Sequence, residues 1–138
     1  MNESPLAELC PYILVIEDDQ ILNKVLCVQM EMAGCSVRSA TTARQALAMS
    51  EEEVPALLIL DVGLPDMDGI ELVAEMRKNE KNARIPLIIH SSFDITSEEE
   101  KQMRLGPTRL VTKATACSER LPQLIMELLE ESKRLSGD

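Results

Sequence analysis

The sequence contains almost no aromatic residues: it has no tryptophan, one tyrosine (Tyr12) and one phenylalanine (Phe93). Hydrophobic residues nevertheless make up 45% of the 138 positions, so the core must be built from aliphatic side chains and methionine. A chain of this composition offers no aromatic platform on which nucleobases could stack. Its net charge of −10 also argues against nucleic acid or an anionic membrane surface as the primary partner.

Other common signals are absent as well. The four cysteines form no C-x-x-C pair and His90 is the only histidine, which argues against a zinc site. No apolar run approaches the ~20 residues that a membrane span needs. Residues 1–11 lack the basic and apolar regions of a secretion signal. We therefore expect a cytoplasmic protein with a single domain, large enough to bury its own core.

Two apolar runs that end abruptly in carboxylates are the clearest feature present. Residues 12–16 stop at Glu17 and Asp18, and residues 56–60 stop at Asp61. Short aliphatic runs of this kind are typical of parallel strands that are buried on both faces. The carboxyl ends of such strands meet at one edge of the sheet, where open α/β folds bind their ligands. The acids would form an oxygen-rich pocket there, suited to a hard divalent cation.

Strand and helix patterns alternate along the chain, which predicts a doubly wound parallel sheet. The expected architecture is flavodoxin-like, with five strands in the order 2-1-3-4-5, five helices, and a switch point between strands 1 and 3. We expect one domain over residues 12–131, between tails at 1–11 and 132–138. The predicted strands cover residues 12–16, 36–40, 56–60, 86–90 and 109–112; the predicted helices cover 20–33, 42–52 and 69–79, a stretch from 97 to Gly106, and a last helix from Ser118.

Four segments, in this order and spacing, carry a family resemblance: ILVIEDD, LILDVGLPDMDG, PLIIHSS and LVTKA. They resemble the signatures of the response-regulator receiver domain of two-component signalling, over roughly residues 12–130. The resemblance implies a domain that takes a phosphoryl group from a histidine kinase or a histidine phosphotransfer protein. Phosphorylation would then change its binding to a downstream protein. Such a domain catalyses its own phosphorylation and dephosphorylation but is not an enzyme that turns over a substrate.

The resemblance also implies a role for each matching residue. Asp61 would be the nucleophile that becomes phosphorylated, since a carboxylate can attack phosphorus to give an acyl phosphate. Asp18 and Asp61 would bind Mg²⁺, or Mn²⁺, with the backbone carbonyl of Gly63, and Glu17 would contribute through a water molecule.

Two further positions complete the implied site. Lys113 would place a positive charge beside the phosphoryl oxygens, and Ser91 would offer a hydroxyl that hydrogen-bonds the phosphate once it arrives. Phe93 could shield the acyl phosphate from water.

Several nearby polar residues have simpler interpretations. Asp19 is either a helix N-cap or a further residue at the metal. Asp66 and Asp68 lie in a turn sequence and are expected to act as turn and cap residues rather than ligands. His90 follows an apolar strand and is expected to be a packed or edge residue rather than a phosphorelay histidine.

Two positions depart from the family pattern and keep other functions open. The family's aromatic residue on strand 5 is replaced by Leu110, and the proline after the lysine is replaced by Ala114. A degenerate receiver that serves only as a protein-interaction module is therefore an alternative. A Mg²⁺-dependent phosphatase of the haloacid dehalogenase type is a further one, although Gly63 stands where that family's D-x-D motif has its second acid.

The helix over residues 20–33 has more apolar surface than one core-facing stripe requires. Its apolar residues form two rows: Leu22, Leu26, Met30 and Ala33, and Ile21, Val25, Val28 and Met32. We expect one row to remain exposed beside the acid pocket as a docking surface for the kinase. The competing interpretation is that the last helix covers both rows.

Overall fold

The computed structural model describes residues 12–91, 95–112 and 120–135 of the chain. Five strands and five helices alternate within these ranges: β1 (Ile13–Ile16), α1 (Gln20–Met32), β2 (Val37–Ala40), α2 (Ala43–Glu52), β3 (Leu57–Asp61), α3 (Gly69–Arg77), β4 (Leu87–Ser91), α4 (Ser97–Gln102), β5 (Thr108–Thr112) and α5 (Arg120–Leu135). None of the helices in these ranges combines the length and the apolar character needed to cross a bilayer.

The strands form one parallel sheet in the order β2-β1-β3-β4-β5, which confirms the predicted topology. The register pairs Ile16 of β1 with Leu60 of β3, and Asp61 with His90 of β4. The chain reverses its direction of winding between β1 and β3. The residues that follow these two strands therefore meet at the switch point of the sheet.

Alternate residues of the central strands face opposite sides of the sheet, and each side has its own apolar layer. On one side, Leu14 and Leu58 pack with α2 and α3. On the other side, Ile13 and Ile59 pack with the buried faces of α1 and α5. Burial on both faces explains why β1 and β3 have continuous aliphatic sequences.

Two helix ends can be compared with the boundaries predicted from the sequence. Helix α1 ends as predicted, because Gly34 follows its last turn with a φ of 93°, a conformation that favours glycine. Helix α4 was predicted to reach Gly106 but ends at Gln102; none of its residues is buried, so no core contact extends it. Gly106 has a different role, since a Cβ there would clash with the backbone of Arg84.

Part of the predicted C-terminal tail is helical. Helix α5 continues to Leu135, so residues 132–135 are helical rather than part of a tail. Its last turn carries Lys133 and Arg134, whose positive charges interact favourably with the negative end of the helix dipole. The proposed start at Ser118 lies outside the described residues.

Candidate functional site

The carboxylates of Glu17, Asp18 and Asp61 form a cluster at the switch point. One oxygen from each lies within 4.8 Å of the other two. Glu17 is fully buried, Asp61 is 5% exposed, and Asp18 is exposed. The cluster arises because Ile16 pairs with Leu60, which places the residues after β1 beside Asp61. The sequence prediction that these three acids lie together is confirmed.

Mutual repulsion and burial disfavour three negative charges in this pocket. Burial, together with the neighbouring carboxylates of Asp61 and Asp18, raises the pKa of Glu17 from 4.5 to about 7. The backbone N–H of Asp19, which donates to Glu17 Oε2 at 3.0 Å, acts in the opposite direction. A divalent cation would relieve this repulsion by placing positive charge among the three carboxylates.

Gly63 follows Asp61 in the loop after β3. Its backbone N–H donates to Asp61 Oδ1 at 3.2 Å, which orients the carboxylate. A Cβ at this position would meet no atom within 4 Å, so packing does not require glycine here. The metal role of the Gly63 carbonyl stays a prediction.

The other aspartates of the region are helix caps. Asp19 is the N-cap of α1 and accepts hydrogen bonds from the backbone N–H groups of Ile21 and Leu22 at 3.0 and 3.1 Å. Asp68 caps α3 by accepting from the Glu71 N–H at 2.9 Å. For Asp19, the structure therefore favours the cap over the metal role.

Asp66 also binds a helix N-terminus, but one that sequence reasoning missed. Its carboxylate accepts from the backbone N–H groups of Ala43 and Arg44 in α2, at 2.9 and 3.0 Å. These hydrogen bonds, led by that from Ala43, hold the pKa of Asp66 below its usual range. The loop after Asp61 is thereby attached to the start of α2.

The phosphoryl-binding residues predicted on β4 and after β5 are placed only in part. Ser91 is the last residue of β4, and its backbone pairs with Thr112 at the same edge of the sheet as the acids. The side chain of Ser91 lies outside the described part of the structure, as do Phe93, Lys113 and Ala114. Their roles stay predictions.

The receiver-domain family profile, described as "Response regulator receiver domain", matches residues 13–125. The chain belongs to this family. The match covers every described strand and both strand ends that supply the acids. Two-component response regulators are built around such domains, and an acidic pocket of this kind binds Mg²⁺ in receiver domains generally.

Individual relatives agree with this assignment. The chain is 34% identical over 101 residues to an uncharacterised 14.6 kDa protein of Leptolyngbya boryana, which covers 73% of the chain and 77% of that protein. It is 32% identical over 101 residues to the transcriptional regulatory protein PhoP of Escherichia coli K12, covering 73% of the chain. The matched region spans only 44% of PhoP and 52% of RpaA, a Synechocystis transcriptional regulator.

Solved structures share the fold. A CheY-like receiver domain protein from Methanospirillum hungatei superposes with a TM-score of 0.78 and 26% identity, covering 89% of this chain and 96% of that one. NtrX from Brucella abortus superposes with a TM-score of 0.79 and 25% identity, covering 91% of this chain but 29% of NtrX.

The only histidine of this receiver domain lies beside its acidic cluster. His90 is fully buried, and its Nε2 lies 3.7 Å from Oε1 of the equally buried Glu17. Its expected packing is confirmed, but its contact with Glu17 was missed. The alternation of side chains along each strand could have indicated that residues 17, 61 and 90 share one face of the sheet. That inference also needs the register of β1, β3 and β4 relative to one another.

Helix α1 of the receiver domain exposes one of its two apolar rows. Leu26 and Met30 are fully buried against the sheet, whereas Ile21 and Met32 are 80% and 83% exposed. Val25 and Val28, in the same outer row, are also exposed. The expectation that one row remains uncovered is confirmed among the described residues.

Proposed function

We propose that this receiver domain accepts a phosphoryl group on Asp61 from a phosphohistidine of a kinase or phosphotransfer protein. An Asp61 oxygen attacks phosphorus and forms the acyl phosphate, while the bond from phosphorus to the histidine nitrogen breaks and that nitrogen is protonated. The observation that supports this function best is the cluster of Glu17, Asp18 and Asp61 at the switch point.

The donor set of the cluster fits Mg²⁺, with Mn²⁺ as a substitute. All its side-chain ligands are carboxylate oxygens, which hard cations prefer. Asp18 and Asp61 would hold the ion with the backbone carbonyl of Gly63, and Glu17 would act through a water molecule. When bound, the cation would supply the charge that lets an anionic donor approach these acids. The exposed Asp18 marks the solvent side from which the ion would enter.

Two residues outside the acidic cluster would complete the reaction. Lys113 follows β5 and would neutralise a phosphoryl oxygen, while the hydroxyl of Ser91 would hydrogen-bond a second one. The pairing of Ser91 with Thr112 supports this proposal, because it brings the ends of β4 and β5 to the edge that holds Asp61. Movement of the Ser91 hydroxyl toward the phosphate would start the change in partner binding.

The exposed row of α1 would receive the protein that carries the phosphohistidine. Helix α1 begins directly after the acidic cluster, and Ile21 lies in its first turn. A donor helix that packs on Ile21 and Val25 would stand beside the entrance to the site. An apolar patch at this place suits a protein donor better than a small molecule.

Intact-mass spectrometry after incubation with acetyl phosphate and Mg²⁺ tests the phosphorylation. We expect a single phosphoryl adduct on the wild-type chain and none on Asp61→Ala. Asp66→Asn is the matched control, since it changes an acid of the same loop that binds α2 instead of the cluster. An adduct that persists in Asp61→Ala would contradict the assignment of the nucleophile.

A module that binds partners without phosphorylation is the second candidate. It is favoured by Leu110, which stands in place of the family's aromatic residue and is 40% exposed on β5. Such a module would give no adduct with acetyl phosphate and would bind its partner equally well with or without Mg²⁺. The same mass measurement therefore separates the two candidates.

A further inference from the structure

We propose that His90 is a positioning residue, which holds the buried carboxylate of Glu17 in place beside Asp61. The inference rests on the proposed function, because Glu17 matters here as part of the metal site. His90 would act through Glu17 and would touch neither the cation nor the phosphoryl group.

The register of the sheet brings the two residues together. Asp61 pairs with His90 on β4, and Glu17 follows Ile16, which pairs with Leu60. Strand β3 lies between β1 and β4, so Glu17 and His90 reach toward each other from the two strands that flank Asp61. The three side chains share one face of the sheet and occupy the same level.

Each oxygen of the Glu17 carboxylate has a polar neighbour. Oε2 accepts the backbone N–H of Asp19 at 3.0 Å, and Oε1 faces Nε2 of His90 at 3.7 Å. The second distance is that of a close polar contact rather than a hydrogen bond. A buried carboxylate is costly without polar partners, so an imidazole on its inner side stabilises the orientation that faces the cluster.

A purely space-filling role explains His90 less well. The neighbouring residues on the same face, Ile88 and Ile59, are aliphatic and fully buried. An aliphatic side chain at position 90 would continue this layer without burying a polar ring. The imidazole instead lies next to a second fully buried ionisable side chain, that of Glu17.

Mg²⁺ titration by calorimetry tests the proposal on the full chain. We expect His90→Leu to weaken Mg²⁺ binding about tenfold, the lower range for loss of a group that supports a metal ligand. His90→Gln should recover most of the affinity, because its amide nitrogen can occupy the place of Nε2 and donate to Glu17. Ile88→Val, a change on the same strand and face, is the control and should leave Mg²⁺ affinity unchanged.

A double-mutant cycle separates positioning from packing. In a Glu17→Gln background, His90→Leu should weaken Mg²⁺ binding no further, because the residue through which it acts is already changed. An equal loss in both backgrounds, or no loss in the wild-type background, would overturn the proposal. Loss of Mg²⁺ affinity in His90→Gln as large as in His90→Leu would also overturn it.

The single histidine permits a test that needs no change at position 90. With ¹⁵N-labelled histidine, the ring nitrogens of His90 give the only imidazole signals of the native sequence. Glu17→Gln should shift these signals, and Ile88→Val should shift them much less; equal shifts would overturn the proposal. Failure of Asp61 to accept phosphate would reject the proposed function but would leave this coupling measurable.

Discussion

Strands β1 and β3 are buried along their whole length, whereas the edge strand β5 exposes Arg109 and Leu110 to solvent. The three acids of the site lie at the carboxyl ends of the buried strands β1 and β3. The register between these two strands fixes the positions of the acids relative to one another. The departures from the family pattern fall on β5 and directly after it. The difference indicates that the buried strands fix the positions of the acids, while the exposed strand tolerates departures from the family pattern.

The largest expected contrast lies between two adjacent acids at the end of β1. Asp18→Ala should abolish measurable Mg²⁺ binding and leave the fold intact, because Asp18 belongs to the cluster and is exposed. Asp19→Ala should keep most of the affinity and destabilise the protein by about 1 kcal/mol through loss of the α1 cap. Calorimetry and thermal unfolding measure the two effects. Equal losses of affinity would show that the division of roles is wrong.

Truncating one side chain on a buried strand and one on the exposed edge strand tests how differently β3 and β5 contribute to stability. Ile59→Ala on β3 should reduce the free energy of unfolding by about 2–5 kcal/mol, since it leaves a cavity in a fully buried layer. Leu110→Ala on β5 should change it by less than about 0.5 kcal/mol, because half-exposed side chains lose little. Urea denaturation gives both values. Similar losses would mean that β5 is as tightly packed as the centre of the sheet.

The buried Glu17 predicts a pH dependence of stability in the metal-free protein. Its pKa is raised in the folded state, so the folded form favours protonated Glu17 and is most stabilised below pH 4.5. This contribution, of order 1–3 kcal/mol, should be lost as pH rises to about 7. Glu17→Gln should remove it, and the difference between the two proteins isolates it from other groups. A difference that does not change over this range would contradict the raised pKa.

The smallest expected effect concerns the exposed row of α1. Val25→Glu should slow phosphoryl transfer from a phosphohistidine-bearing protein about three- to tenfold and leave the rate with acetyl phosphate unchanged. Leu135→Glu is the matched control, since Leu135 is an exposed apolar residue at the end of α5. Stopped-flow or quench measurements of the adduct give the rates. Slowing with both donors would indicate damage to the site rather than to docking.

The sheet order and the acidic cluster could be predicted because both follow from apolar runs that end at fixed residues. Contacts between distant segments could not be predicted in the same way. Asp66 was expected to be a turn or cap residue of its own segment, but it binds the N-terminus of α2, more than twenty residues earlier in the chain. The contact of His90 with Glu17 depends on the register of three strands. Residues 132–135 of α5 were predicted to be a tail because three of the four are polar, and none of them is buried.

The single tyrosine determines how this protein can be followed by optical methods. Tyr12 is buried at the start of β1, with its hydroxyl bonded to the Glu53 carbonyl and its ring 4.4 Å from the Arg38 guanidinium. It therefore lies at the opposite end of the strand from Glu17, and its emission should report unfolding but not occupancy of the acidic cluster. Because the chain has no tryptophan, one introduced at Leu110 would be a background-free fluorescent reporter of the β5 edge.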